Sequence, residues 1–178
     1  MEYGFKNIGS LRGFTLVELI IVVGVIAILA AGTIAVLNPF TQFQKADDSR
    51  RKSDLSQIQK GLEVYYQDLG RYPQNATQCN YEVLGNNSDG NDCIEWGKSW
   101  QPYMNVVPKD PKEANSYVYF VTTDGQAYFL YANLSRGTVD KQSCNNGDAC
   151  NSLSSNNIPV TACGGTCNYG ISSPNVSP

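Results

Sequence analysis

Two residues near the start of the chain have the types and spacing for ionic chemistry, Phe14 and Glu18. Glu18 sits just inside an apolar stretch, and the 19 residues from Leu19 to Leu37 carry no charge. That reaches the roughly 20 residues a helix needs to cross a bilayer core. A charged side chain in such a span costs about 2.5–3.5 kcal/mol at worst, at the bilayer centre, and usually marks a function or a specific partner. The partner has to be cationic and at the same depth, yet nothing basic follows within the span. A cut between Gly13 and Phe14 would create one, the freed α-amino group of Phe14. Glu18 lies one helical turn further on. A pair closed between neighbouring subunits neutralises both charges only when subunits stack, which would make Glu18 a register device for assembly. In an uncut chain Glu18 is left to reach for the headgroups.

Six cysteines offer the second chemistry: Cys79, Cys93, Cys144, Cys150, Cys163 and Cys167. An even number confined to the polar part of the chain points to disulfides in an oxidising compartment. Sequential pairs, 79–93, 144–150 and 163–167, are favoured because each closes a Gly/Asn-rich loop. Histidine is absent, which removes the commonest general base and metal ligand. With no C-x-x-C unit either, zinc and haem sites are disfavoured. An anchored enzyme would have to work through carboxylate pairs such as Asp89 and Asp92, and nothing places these in a pocket, so the chain reads as non-enzymatic. The same residues, in "NSDGND", and Asp148 in "NNGD" are the calcium candidates, because oxygen-rich loops suit that ion. Such clusters are also ordinary turns, so no cofactor is expected beyond this option. Sequons fall at Asn75, Asn86, Asn133 and Asn175.

The elements that position these groups follow from the pattern of the chain. Of 178 residues, 42% are apolar, and formal net charge is −3. The densest basic cluster, Arg50-Arg51-Lys52, lies beside Asp47, Asp48 and Asp54. It reads as a solvated or filament-lining helix face, and no specific nucleic-acid partner is expected. Asn38-Pro39 should break or bend the first helix. Leu55, Ile58, Leu62, Tyr65 or Tyr66, and Leu69 recur at spacings of three and four, so a second, amphipathic helix is expected. Asp47/Arg51 and Asp48/Lys52 are its candidate i,i+4 pairs, and Gly70 and Pro73 end it. If helical throughout, Phe14 to Leu69 would reach about 84 Å. Ala27, Ala31 and Ala35, with Gly24 and Gly32 nearby, would let such helices approach closely. "YVYFVT-TDGQ-AYFLYANL" reads as a β-hairpin near 117–134, with Asp124-Gly125 as the tight turn. A third, weaker strand or extended segment is expected after it, before the Cys-rich tail.

"RGFTLVELIIVVGVIAILA" closely resembles the class III leader of type IV prepilins and type II secretion pseudopilins. The matching residues are Gly13, Phe14, Thr15, Leu16, Val17, Glu18 and Leu19. The resemblance implies that a prepilin peptidase cuts after Gly13 and methylates Phe14, and that Glu18 pairs with a neighbour's N-terminus. "GRYPQ" after the long helix, "VPKDP" at Val107–Pro111 and the aromatic hairpin resemble the head of major pseudopilins, up to about residue 135.

The expected fold is α+β: a long N-terminal helix packed on a small antiparallel sheet with disulfide-bridged loops. The expected organisation is a leader at 1–13, a membrane or filament-core helix at 14–38, an amphipathic helix at 39–70 and a head at 71–178. The N-terminus would be cytoplasmic, in a single-pass protein of the inner membrane. The partners implied are further copies of the chain, the prepilin peptidase, and an inner-membrane assembly platform with its ATPase. The Cys-rich tail favours a subunit of an extracellular type IV pilus-like filament, for adhesion, motility or DNA uptake. A major pseudopilin of a type II secretion system, in a periplasmic filament, is the alternative. A tethered adhesin that never polymerises would leave Glu18 unexplained.

Overall fold

The computed structural model describes residues 13–74, 84 and 93–178. It divides into two compact units, one ending at Thr41 and one running from Gln42 to Pro178.

In the first unit, helix α1 spans Leu16–Leu37. Its start is a capping box that the sequence carries as Thr-x-x-Glu. Glu18 N donates to Thr15 Oγ1 at 3.2 Å, and Thr15 N donates to Glu18 Oε2 at 3.5 Å. Asn38 ends the helix in the left-handed region, with φ 39°, a conformation that asparagine tolerates better than most side chains. Helix α2 then begins on Pro39, where a missing N–H costs nothing, and runs to Leu69.

In the second unit the apolar stripe of α2 is real but shorter than its pattern. Leu55, Ile58, Leu62 and Tyr65 are buried, whereas Leu69 is exposed. Gly70, at φ 69°, ends the helix by donating its N–H to Tyr66 O at 2.8 Å. That is a glycine position, because a Cβ is disfavoured there. The stripe packs on a three-stranded antiparallel sheet of β1 (Val118–Val121), β2 (Tyr128–Ala132) and β3 (Tyr169–Ser172), in that order. Gly125, at φ 69°, turns the β1–β2 hairpin.

The third strand is not where it was expected. It follows the Cys-rich tail instead of preceding it, and it pairs with β2 in the register Leu130↔Ile171 and Ala132↔Tyr169. The hairpin's outer strand β2 is therefore the centre of the sheet. All five of its residues are buried, because both faces are covered. Alternate residues of a strand point to opposite faces. Tyr128, Leu130 and Ala132 join Tyr119, Val121 and the α2 stripe in one core. Phe129, Tyr131 and Val118 join Cys150, Leu153, Ile158, Cys163 and Cys167 in a second. The tail, in short turns and a five-residue helix α3 (Asn151–Ser155), supplies that second layer.

Disulfides join Cys144 to Cys150 and Cys163 to Cys167, with Cα–Cα distances of 5.0 and 5.4 Å. Cys93 is also disulfide-bonded. The 79–93 pairing falls on Cys79, which lies outside the described residues, as do Asp89 and Asp92.

Candidate assembly site

The site begins with α1. Its only charged residue is Glu18. Its large apolar side chains from Leu16 to Leu29 are all exposed, the most covered being Val22 at 46%. At 22 residues the helix is about 33 Å long, enough for a hydrocarbon core. Among the described residues it is the one helix long and apolar enough to cross a membrane. Gly24 and Gly32 have open space where a Cβ would sit, so another helix backbone can come close at both. Glu18 holds its carboxylate against the N–H of Thr15, at the helix start where the dipole favours negative charge. That also places it one residue from the N-terminus that a cut after Gly13 would expose.

The second unit holds a buried ionic node where the sequence pattern reads as a solvated or filament-lining helix face. Arg50-Arg51-Lys52 is not simply a solvated face, because Arg51 is fully buried. Its Nε and Nη2 donate to the two oxygens of Asp110 at 2.7 and 3.0 Å. Its Nη1 donates to Asp48 Oδ1 at 2.9 Å. Asp48 also accepts from Ser135 N at 2.8 Å and Arg136 N at 2.9 Å, and Asp110 accepts from Lys112 N at 2.9 Å. Three segments meet there: α2, the "VPKDP" loop and the chain leaving β2. Burial opposes the guanidinium's charge, but Asp110 and Asp48 outweigh it and hold Arg51 more basic than usual.

The expected i,i+4 pairs give way to these longer-range partners. Asp47 lies 3.9 Å from Lys112 Nζ, and Lys52 reaches Asp140 at 2.5 Å and Gln142 at 2.9 Å. The signal was present in the sequence. Asp48 and Arg51 lie in phase with Leu55, Ile58, Leu62 and Tyr65, on the face that packs inward. Hydropathy conceals it because the inward residues are charged.

Asp54 stands next to this node. It accepts from Tyr117 Oη at 2.7 Å, and Arg50 Nε lies 3.8 Å away. Burial raises its carboxyl above the usual range, the hydrogen bond and Arg50 oppose this, and Asp110 adds to the rise. A carboxyl raised on folding contributes most below its unfolded value, and that contribution is lost as pH climbs through the folded value. Asp54→Asn, which keeps an acceptor for Tyr117, should therefore gain stability relative to the native chain between pH 4 and 7. Denaturant midpoints of the two proteins at both pH values check this, and a pH-independent difference would refute it.

Asp148, the remaining calcium candidate, is exposed. Among the described residues no three His, Cys, Asp or Glu side chains gather as a metal cluster would require.

An exposed apolar helix with one carboxylate in its first turn, ahead of a helix packed on a small antiparallel sheet, defines the class of pilin-like subunits. Residues 11–34 match the prokaryotic N-terminal methylation motif. Residues 38–150 match the family described as type II secretion system (T2SS), protein G, and the chain belongs to that family. The type II secretion system core protein G of Pseudomonas aeruginosa is 31% identical over 138 residues, 77% of this chain and 90% of the relative. That of Vibrio cholerae is 30% identical over 138 residues, 76% of this chain and 80% of the relative. That of Klebsiella pneumoniae is 37% identical over 62 residues, 35% of this chain and 43% of the relative. No solved structure matches. The pilus subunit favoured from sequence thus yields to its alternative, the pseudopilin.

Proposed function

We propose that the chain is the major pseudopilin of a type II secretion system, a structural subunit that polymerises into a short periplasmic filament. Residues 1–13 form the leader. The prepilin peptidase cuts after Gly13 and methylates the new N-terminus at Phe14. Glu18 of one subunit then meets the α-ammonium of a neighbour's Phe14, and the α1 helices pack together as they leave the membrane. The inner-membrane assembly platform and its ATPase drive this step. The observation that carries the reading is α1 itself, exposed from Leu16 to Thr33 with a single carboxylate at its first turn. Such a surface is stable only in lipid or against other helices, and the family match supports the second destination as a secretion filament.

Intact mass and N-terminal sequencing of the protein from membrane and sheared-fibre fractions test this. The expected product is a chain that begins at methylated Phe14 and stays with the cell envelope. A chain still beginning at Met1 would refute processing. The mature chain in sheared surface fibres would restore the pilus reading, which the Cys-rich tail favours.

A further inference from the structure

We propose that the tail is a disulfide-locked cap over one face of the sheet, releasable while the helix-side core stays folded. The carrying observation is how the cysteines divide. Among the described residues the buried helix-side core, from Leu55 through Ala132, contains no cysteine; the disulfide-bonded Cys93 is half-buried next to Ile94 of that core and is no part of the tail. The opposite core is built on Cys150, Cys163 and Cys167, with Cys144 packed against it. Nothing here depends on the filament role; only the two faces of the sheet enter.

The cap is tied down at both ends. At one end Lys52 holds Asp140, and at the other β3 is paired with β2. The 28 residues between, 141–168, contain little regular structure. Such a stretch gives up much conformational entropy when it is ordered. Its two disulfide loops hang on one another: Cys150 N donates to Cys167 O at 3.1 Å, and Cys144 N to Asn168 O at 2.8 Å. Ser116 N donates to Cys163 O at 3.3 Å, which seats the second loop beside β1. The first loop also takes Asn145 and Asn146 through the left-handed region, at φ 46° and 59°. Covalent closure is what offsets these costs, because it removes loop entropy from the open state.

With the bonds open, Val118, Phe129 and Tyr131 lose their cover, while Leu55, Ile58 and Leu62 keep theirs against the other side of the sheet. Closing each bond takes two electrons and two protons from a thiol pair. It passes them to a dithiol–disulfide oxidant, which leaves as the dithiol. The capped state is therefore conditional on an oxidant of that class where the head folds.

Hydrogen exchange of the full chain in detergent micelles tests the proposal. One sample is the Cys144→Ser/Cys150→Ser/Cys163→Ser/Cys167→Ser variant. The other is folded native protein reduced with dithiothreitol, scored only in molecules whose mass shows four alkylated tail thiols. Amides of residues 144–168 should exchange at least about tenfold faster, while those of Leu55–Tyr65 hold their protection. A tail that stays protected without its disulfides would overturn the proposal. So would loss of α2 protection in step with the tail in the reduced native protein. The reduced sample decides the matter if the variant never folds.

Discussion

Arg51→Ala is expected to destabilise the head by about 3–5 kcal/mol, the usual cost of stripping one partner from a buried ion pair. Domain stability is typically about 5–15 kcal/mol, so a large fraction would be lost. Asp48 and Asp110, both nearly inaccessible, would lose their shared cation. The backbone N–H groups of Ser135, Arg136 and Lys112 would still face them, and these cannot neutralise two carboxylates. Arg51→Lys should recover only part of the loss, because an ammonium cannot match the two-point contact with Asp110. Arg51→Met combined with Asp110→Leu should lose less than Arg51→Ala, since an apolar pair leaves no unpaired charge on that side. Denaturant unfolding of the full chain in detergent, followed by the fluorescence of Trp96 and Trp100, measures all three. A loss below about 1 kcal/mol for Arg51→Ala, the range of exposed pairs, would mean that the node is solvated.

Glu18→Ala should leave membrane insertion intact and abolish or sharply reduce filament yield. The structure adds a competing role for this residue, because its carboxylate also completes the capping box of α1. Two further variants separate the roles. Glu18→Gln keeps a side chain that can close the box but has no charge to offer an ammonium. Thr15→Ala removes the hydroxyl cap, worth about 1 kcal/mol, and keeps the charge. If the ion pair sets register, Glu18→Gln fails to assemble and Thr15→Ala assembles. The opposite pattern would make Glu18 a helix cap and no more. Filament yield measured alongside the membrane-inserted pool reads each outcome.

Much of this architecture was legible because it is local. The run from Leu19 to Leu37, apolar as well as uncharged, marks a helix by its own hydropathy. Leu55, Ile58, Leu62 and Tyr65 announce their shared face through spacing alone. Asp124-Gly125 announces its turn because few other pairs fit that backbone. Glu18 was conspicuous because a carboxylate has no reason to enter an apolar run without a partner. What stayed hidden was non-local. Arg51 in "DDSRRKSD" looks solvated until Asp110, 59 residues away, is brought to it. Ile171 in "YGIS" looks like tail until it stands beside Leu130.

By itself, then, the sequence determined the helices, their breaks, the hairpin and the carboxylate at the head of α1, since each rests on backbone preference or on hydropathy within a few residues. Only the tertiary structure decided which charges go inside, which strand is central and that the tail covers a second face. Burying a charge is tolerable only where distant partners complete its hydrogen bonds, and a strand's place in a sheet depends on neighbours far along the chain.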